Sequence, residues 1–323
     1  MGFRSGQHVG AYVIDGLLGR GGMASVWRAW DQRRGDQVAI KIIADSGAGE
    51  ARFADRFIGE IRHHASLRHP NIVQVREVFS VAGQPCMVMD LASGGSLAGL
   101  LEKSPQRRLP VSTALPIITE VLGALDYAHR HGMVHRDVKP SNVLLDQSHQ
   151  HAYLSDFGIA LAVGEKRLTQ MGSSVGTSAY MSPEQIRATG TIDYRSDVYS
   201  VGCVLYEALT GRAPFVADGA DNENDDAALA AVLAMHLSAK PVPPKQRAPG
   251  IPAHVNALVM RALEKDPARR IPGCAEFARR LAAGADDTAR PARAGPLGSP
   301  TRIAMAVVAL AVVVAGVMIV MSG

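Results

Sequence analysis

Two stretches near the start of the chain carry groups suited to holding phosphate. Gly19-Arg20-Gly21-Gly22-Met23-Ala24-Ser25-Val26 lies between two strand-like runs. Glycines there let backbone N–H groups come close to phosphate oxygens. Glycine is also common in ordinary turns between strands, so the cluster alone leaves both readings open. A dinucleotide-binding fold needs a helix directly after the glycines. Here a strand-like run follows, which argues against it. The next run, Val38-Ala39-Ile40-Lys41, puts a lysine inside an apolar strand. An unpaired ammonium is costly to bury, so Lys41 needs an anionic partner. Glu60, on the helical stretch that follows, is a candidate. A surface lysine lying along the sheet is the alternative.

The elements that position these groups follow from hydrophobic spacing. Strand-like runs are AYVIDGLLG, MASVWRAW and QVAIKIIA, then NIVQVREVFS and PCMVMDL. A helical stretch over about 51–67 separates the third from the fourth. After Gly94-Gly95 the pattern turns mostly helical. This describes an α+β protein with two lobes: five strands and one main helix over about 10–90, then a helical lobe over about 95–283. With 323 residues, 47% hydrophobic and 20% charged, the chain has enough apolar side chains for a large core and is not a disordered one. Its net charge of +4 is mild and calls for no nucleic acid. The three cysteines are odd in number and form no CxxC pair. That excludes a disulfide scaffold and a cysteine zinc site, and points to a reducing compartment. The 11 histidines form no HExxH and read as solvated or packing residues. The acidic run over 218–226 reads as a solvated loop.

Residues 284–302 are rich in Pro and Ala and read as a linker. Residues 303–321, IAMAVVALAVVVAGVMIVM, contain no charged or polar side chain. As a helix they span roughly 28 Å, close to a hydrocarbon core of about 30 Å. Arg290, Arg293 and Arg302 precede the span and no charge follows it. By the positive-inside rule the expectation is a single-pass protein of the plasma (inner) membrane with residues 1–302 in the cytoplasm. The first residues lack the apolar stretch of a signal peptide, and no external sensor domain is expected. Ala311 and Ala315 form a small-xxx-small pair, a weak dimer signal in a helix so rich in alanine.

A longer motif is more specific. His135-Arg136-Asp137-Val138-Lys139-Pro140-Ser141-Asn142 is followed by Asp156-Phe157-Gly158 and then Ser182-Pro183-Glu184. In this order, the chain resembles a eukaryotic-type (Hanks-type) Ser/Thr protein kinase of the kind anchored in bacterial membranes, over about residues 10–281. The resemblance implies a bilobal protein-kinase fold and transfer of the ATP γ-phosphate to protein Ser/Thr hydroxyls, in bacterial signalling. It implies ATP with Mg2+ or Mn2+ as cofactors. Asp137 would take the substrate proton, and Lys139 would reach the γ-phosphate. Asn142 and Asp156 would hold the metal. Lys41 would hold the α- and β-phosphates, fixed by Glu60, and Thr177 would bridge base and lysine. Nucleotide contacts would come from Leu18, Gly19, Arg20, Gly21, Gly22, Met23, Ala24, Ser25, Val26 and Ala39. Met89, Asp90, Leu91, Ala92 and Leu144 would complete the adenine site. Asp197 would hold the catalytic loop, and Glu184 would pair with Arg270.

Two positions depart from the family wording. Ala24 replaces the third loop glycine, and Ser182 replaces alanine before Pro183-Glu184. Arg136 implies control by a phosphate on the activation loop, with Thr169 as the favoured site and Ser173 and Ser174 behind it. Autophosphorylation in trans would need a homodimer, at least a transient one. A pseudokinase scaffold is the alternative; the presence of Lys41, Asp137, Asn142 and Asp156 argues against it. A small-molecule kinase is disfavoured by Gly176-Thr177 and Ser182-Pro183-Glu184.

Overall fold

A computed structural model describes residues 3–21, 24–43, 65–81, 83–157, 178–188, 192–217 and 226–289. Six strands form one antiparallel sheet: His8–Val9 (β1), Tyr12–Arg20 (β2), Ala24–Asp31 (β3), Asp36–Ile43 (β4), Val75–Val81 (β5) and Gln84–Asp90 (β6). Their order is β1-β2-β3-β4-β6-β5. This is one strand more than the five expected, and the sheet begins before residue 10. β1 pairs His8 with Val13 and Val9 with Tyr12. Two residues are too few to leave an alternating pattern in a sequence, but Val9 is buried and belongs to the sheet's core.

β4 lies inside the sheet and is covered on both faces. Val38, Ile40 and Ile42 join Tyr12, Ile14, Trp27 and Val88 on one side. Ala39 and Ile43 join Val75, Met87 and Met89 on the other. Side chains alternate along a strand, so Lys41 shares the face of Ala39 and Ile43. Coverage of both faces explains why β4 reads as a near-continuous apolar run. The expected helix over 51–67 lies almost wholly outside the described residues, as do 290–323 with the apolar run 303–321.

The chain leaves the sheet through residues 91–96. The Asp90 N–H donates to the Gln74 carbonyl at 3.0 Å, and the Gly94 N–H donates to the Leu145 carbonyl at 2.9 Å. Ser96 then caps the helix Leu97–Lys103 (α1). The rest of the second lobe is Val111–Arg130 (α2), the hairpin Val143–Leu145 (β7) with Ala152–Leu154 (β8), Pro183–Arg187 (α3), Tyr194–Thr210 (α4), Asp226–Ser238 (α5), Pro244–Arg247 (α6), Ala253–Ala262 (α7) and Cys274–Ala289 (α8). α2 has 20 residues and is apolar enough to cross a membrane by composition. Its face of Ile117, Ile118, Val121, Leu122 and Leu125 is instead buried in this lobe's core. α4 is buried nearly all round, as expected of the helix at the centre of a core. One of its residues is a carboxylate, Asp197, 1% exposed.

Gly94 is required by packing, because a Cβ there would overlap the carbonyl oxygen of Asp146. Gly94→Ala should destabilise the fold by about 1–3 kcal/mol, the usual cost of overpacking. A Cβ at Gly273 meets nothing within 4 Å. Gly273→Ala should shift stability by less than about 0.5 kcal/mol. Denaturant melts of both variants check the contrast.

Candidate active site

The site is organised from α4 outward. Asp197 Oδ2 accepts from the His135 N–H at 2.8 Å and Oδ1 from the Arg136 N–H at 2.9 Å. His129 Nε2 lies 2.7 Å from Oδ2. Three polar partners offset the cost of burying this carboxylate. They also hold Arg136 in a left-handed conformation, φ +67°, which costs a non-glycine residue about 1–3 kcal/mol. His135 is buried, and its ring packs against Phe157 at 4.5 Å between centroids. Its Nε2 bonds the Ser155 carbonyl at 2.8 Å, so the loop before Asp137 and the strand end before Asp156 are tied together.

Asp137 and Asp156 are each paired with a lysine. Lys139 Nζ is 3.0 Å from Asp137 Oδ2. Lys41 Nζ is 2.7 Å from Asp156 Oδ1. The anionic partner that Lys41 needs is therefore Asp156 among the described residues; Glu60 lies outside them. Burial works to raise the Asp156 pKa, but the Lys41 ammonium outweighs it and holds the carboxyl below its ordinary value. Asn142, 5% exposed, donates from Nδ2 to the Asp137 carbonyl at 2.7 Å and to Asp137 Oδ2 at 3.0 Å. Its amide nitrogen is thus committed, leaving Oδ1 as the atom to offer a cation. The Asn142 carbonyl in turn accepts from the Ser155 N–H at 2.9 Å, one residue before Asp156. Asn142 and Asp156 are hard oxygen donors on neighbouring chain segments, which suits Mg2+ held partly by a substrate's phosphates. Among the described residues no group of three His, Cys, Asp or Glu side chains forms an all-protein metal site.

Above these residues the sheet supplies a cleft. Val26 and Ala24 on β3, Ala39 on β4, Met89 at the end of β6, Leu91 and Leu144 pack into one apolar cluster. Val26 pairs directly with Lys41 across β3 and β4. Leu18 sits at the rim, 47% exposed. The β2–β3 turn pairs Gly19 with Val26 and Arg20 with Ser25, and the Gly21 N–H donates to the Ala24 carbonyl at 2.8 Å. A Cβ at Gly19 would meet nothing within 4 Å, and one at Gly21 only the Ala24 oxygen at 3.8 Å. Packing among the described residues therefore does not require these glycines, whereas close approach of a phosphate would. Asp90 gives its carboxylate to Arg76 at 2.5 Å, and Ala92 follows it in the connection between lobes. Gly22, Met23, Glu60, Thr169, Ser173, Ser174 and Thr177 lie outside the described residues.

The segment beyond is braced from below. Glu184 meets Arg270 in a bidentate pair at 2.7 and 2.8 Å and accepts from Ser196 Oγ at 2.5 Å. Gln185 Nε2 donates to the Arg136 carbonyl at 2.7 Å, linking this segment to the catalytic loop. Sequence reasoning did not find that link, the Lys41–Asp156 pair or the contact from His129 to Asp197. The only signal for His129 was its place on the helix that leads into His135-Arg136-Asp137.

The protein kinase domain family matches residues 12–280. Serine/threonine-protein kinase PknJ of Mycobacterium tuberculosis is 38% identical over 282 residues, covering 86% of this chain and 46% of PknJ. The probable serine/threonine-protein kinase SCO3848 of Streptomyces coelicolor is 41% identical over 264 residues, covering 80% of this chain and 37% of its own. The crystal structure of the Mycobacterium tuberculosis PknI kinase domain superposes with a TM-score of 0.67 at 28% identity, over 87% of this chain and 99% of that one. The chain belongs to the protein kinase family and carries a kinase domain of the bacterial Ser/Thr type, with the protein-kinase fold. It spans between 37% and 46% of the length of these two curated relatives.

Two outcomes follow. Gly19→Ala should leave thermal stability unchanged and weaken ATP binding, as calorimetry would show. Asp156 is held below its ordinary pKa of 3.8, so its stabilising contribution is complete above that value and is lost as pH falls through the lower folded value. The stability gap between wild type and Lys41→Met should be widest near neutral pH and shrink below about pH 4, in melts across an acid series.

Proposed function

We propose that the chain is an active Ser/Thr protein kinase that uses ATP and a divalent cation, controlled by autophosphorylation and held at a membrane. The observation that carries this reading is the convergence of Lys41–Asp156 with Asp137–Lys139–Asn142, fixed on the loop that Asp197 braces. A scaffold that only binds nucleotide has no use for an acceptor carboxylate and a lysine beside it.

Asp137 is the proton acceptor. The Ser or Thr hydroxyl oxygen bonds to the γ-phosphorus, the bond from that phosphorus to the β–γ bridging oxygen breaks, and ADP departs. The hydroxyl proton passes to Asp137. Lys139 lies on the same carboxylate and carries positive charge toward the transferring phosphoryl group. With ATP bound, Lys41 would turn from Asp156 to the α- and β-phosphates, and Asp156 and Asn142 would hold the cation. Bound Mg2+ neutralises charge on the phosphate oxygens. Leu18, Val26, Ala39, Met89 and Leu144 enclose the adenine, and Asp90, Leu91 and Ala92 present backbone groups to it. Glu60 and Thr177 complete the set in this reading.

Arg136 supports control by phosphorylation. Its Nε is buried and has no hydrogen-bond partner among the described residues. A phosphate on Thr169, or on Ser173 or Ser174, would supply one. Residues 303–321 support a membrane span, with the kinase domain on the cytoplasmic side where Arg290, Arg293 and Arg302 favour it. Confinement there raises the chance that two copies meet and phosphorylate each other.

The test incubates the full chain in lipid nanodiscs with labelled ATP and Mg2+. Label should appear on Ser and Thr, and Lys41→Met should lose at least about 100-fold in rate. Phosphopeptide mapping should place the main site at Thr169. ATP binding without label would support the scaffold reading, and label confined to 284–302 would remove the activation-loop switch. Alkaline washing of membranes should leave the full chain in the pellet and release residues 1–302.

A further inference from the structure

Below the segment braced by Glu184 lies a buried polar cluster that the chemistry does not use. Tyr199 on α4 and His236 on α5 are both 0% exposed. The Tyr199 hydroxyl is 2.8 Å from His236 Nδ1. Lys265, on the loop after α7, donates to the same hydroxyl at 3.3 Å and to the Met235 carbonyl at 3.2 Å. Its ammonium also sits 4.2 Å from the centre of the Phe215 ring, whose edge packs on His236. Four separate chain segments meet here.

The partners fix the direction of the hydrogen bonds. Lys265 has only donors, so the Tyr199 oxygen accepts from it. The buried Tyr199 O–H finds its one acceptor among the described residues in His236 Nδ1 and donates to it, with a neutral imidazole carrying its proton on Nε2. Burial, with Lys265 nearby, pushes the His236 pKa down to about 3 and keeps the ring neutral. Among the described residues Nε2 makes no hydrogen bond of ordinary geometry, and the backbone of Ala179 acts on the imidazole in the opposite direction, favouring its charged form. Donors and acceptors thus run one way, from Lys265 through Tyr199 to His236, an arrangement in which each bond strengthens the next.

Ala179 lies on the stretch that ends at Gln185, whose side chain reaches the Arg136 carbonyl beside Asp137. Ser178 before it is buried, the Tyr180 carbonyl accepts from Ser200 Oγ at 2.8 Å, and Tyr180 bonds Glu207. α5 carries His236 on its buried side and leaves Ala227, Ala230, Ala231 and Ala234 exposed.

We propose that Lys265, Tyr199 and His236 form a positioning network that locks α5 to residues 178–181 and so sets the affinity for the protein acceptor, without touching ATP. The inference rests on the protein-kinase reading above. Among the described residues the network's polar and ring partners are Ala179, Met235, Phe215 and Arg270, none of them in the apolar cluster of Val26, Ala39 and Met89, so ATP binding should be insensitive to it. Loss of one network hydrogen bond, typically about 1 kcal/mol, corresponds to roughly fivefold in affinity.

The test uses the full chain as enzyme and its Lys41→Met copy as phosphate acceptor. KM is measured separately for acceptor and for ATP, with Tm as a fold control. Tyr199→Phe removes only the hydroxyl and should raise the acceptor KM about fivefold, with the ATP KM within twofold. His236→Leu should do the same. His236→Asn keeps an acceptor near the Nδ1 position and should restore most of the affinity. Acceptor and ATP KM moving together, or a lower Tm with both constants unchanged, would overturn the network while leaving the kinase reading intact. A wild-type enzyme that labels no acceptor would remove the kinase reading, and this inference with it.

Discussion

A buried carboxylate on a buried helix is the constraint on which the catalytic apparatus depends. Asp197 is buried on α4, and the backbone N–H groups of His135 and Arg136 converge on it. Without those bonds nothing would offset the left-handed backbone of Arg136, and the direction in which Asp137 leaves the chain would be undefined. The same region fixes Asn142 through Asp137 and fixes Asp156 through Ser155 and His135. One ionisable group in the core therefore sets the relative placement of three functional side chains. Removing it would strand two buried donors, at a cost of about 1–3 kcal/mol each.

Charge is the second organising element. Lys41 and Lys139 each rest on a carboxylate, so neither acid faces the cleft as an isolated negative charge. Asp156 and Asp137 are thereby arranged differently for different tasks. Asp156 is held ionised by a strong partner on the opposite lobe. Asp137 shares its carboxylate oxygen between a lysine and an amide, both on its own loop. The glycine turn contributes differently: at Gly19 and Gly21 there is room that packing among the described residues does not use.

The two-lobe architecture was legible because it rests on local patterns. Apolar strand-like runs set off by turns marked β2 to β6, and the mostly helical pattern after Gly94-Gly95 marked the second lobe. β1 escaped because its pairing partner, not its two residues, makes it a strand. The catalytic stretch was legible because 135–142 is contiguous and each residue type has a chemical role. Long-range pairs were less accessible. Lys41 finds Asp156 across 115 positions, and nothing near Lys41 in the chain announces that partner. The Tyr199–His236–Lys265 cluster was invisible for the same reason; its trace was an imidazole in the apolar run AALAAVLAMHL of α5. A histidine there looked like simple packing until Tyr199 was brought to its Nδ1.

The central claim is that Asp137 accepts a proton during phosphoryl transfer rather than merely lining a nucleotide site. The most direct measurement pairs the ATP dissociation constant with the single-turnover transfer rate in wild type and Asp137→Asn. The amide matches the carboxylate in size and keeps an acceptor for Lys139 and Asn142, so binding should be preserved. The account predicts an ATP constant within threefold of wild type and a transfer rate lower by about 100-fold or more. An Asp137→Asn rate near that of wild type, or no transfer by either protein, would contradict it.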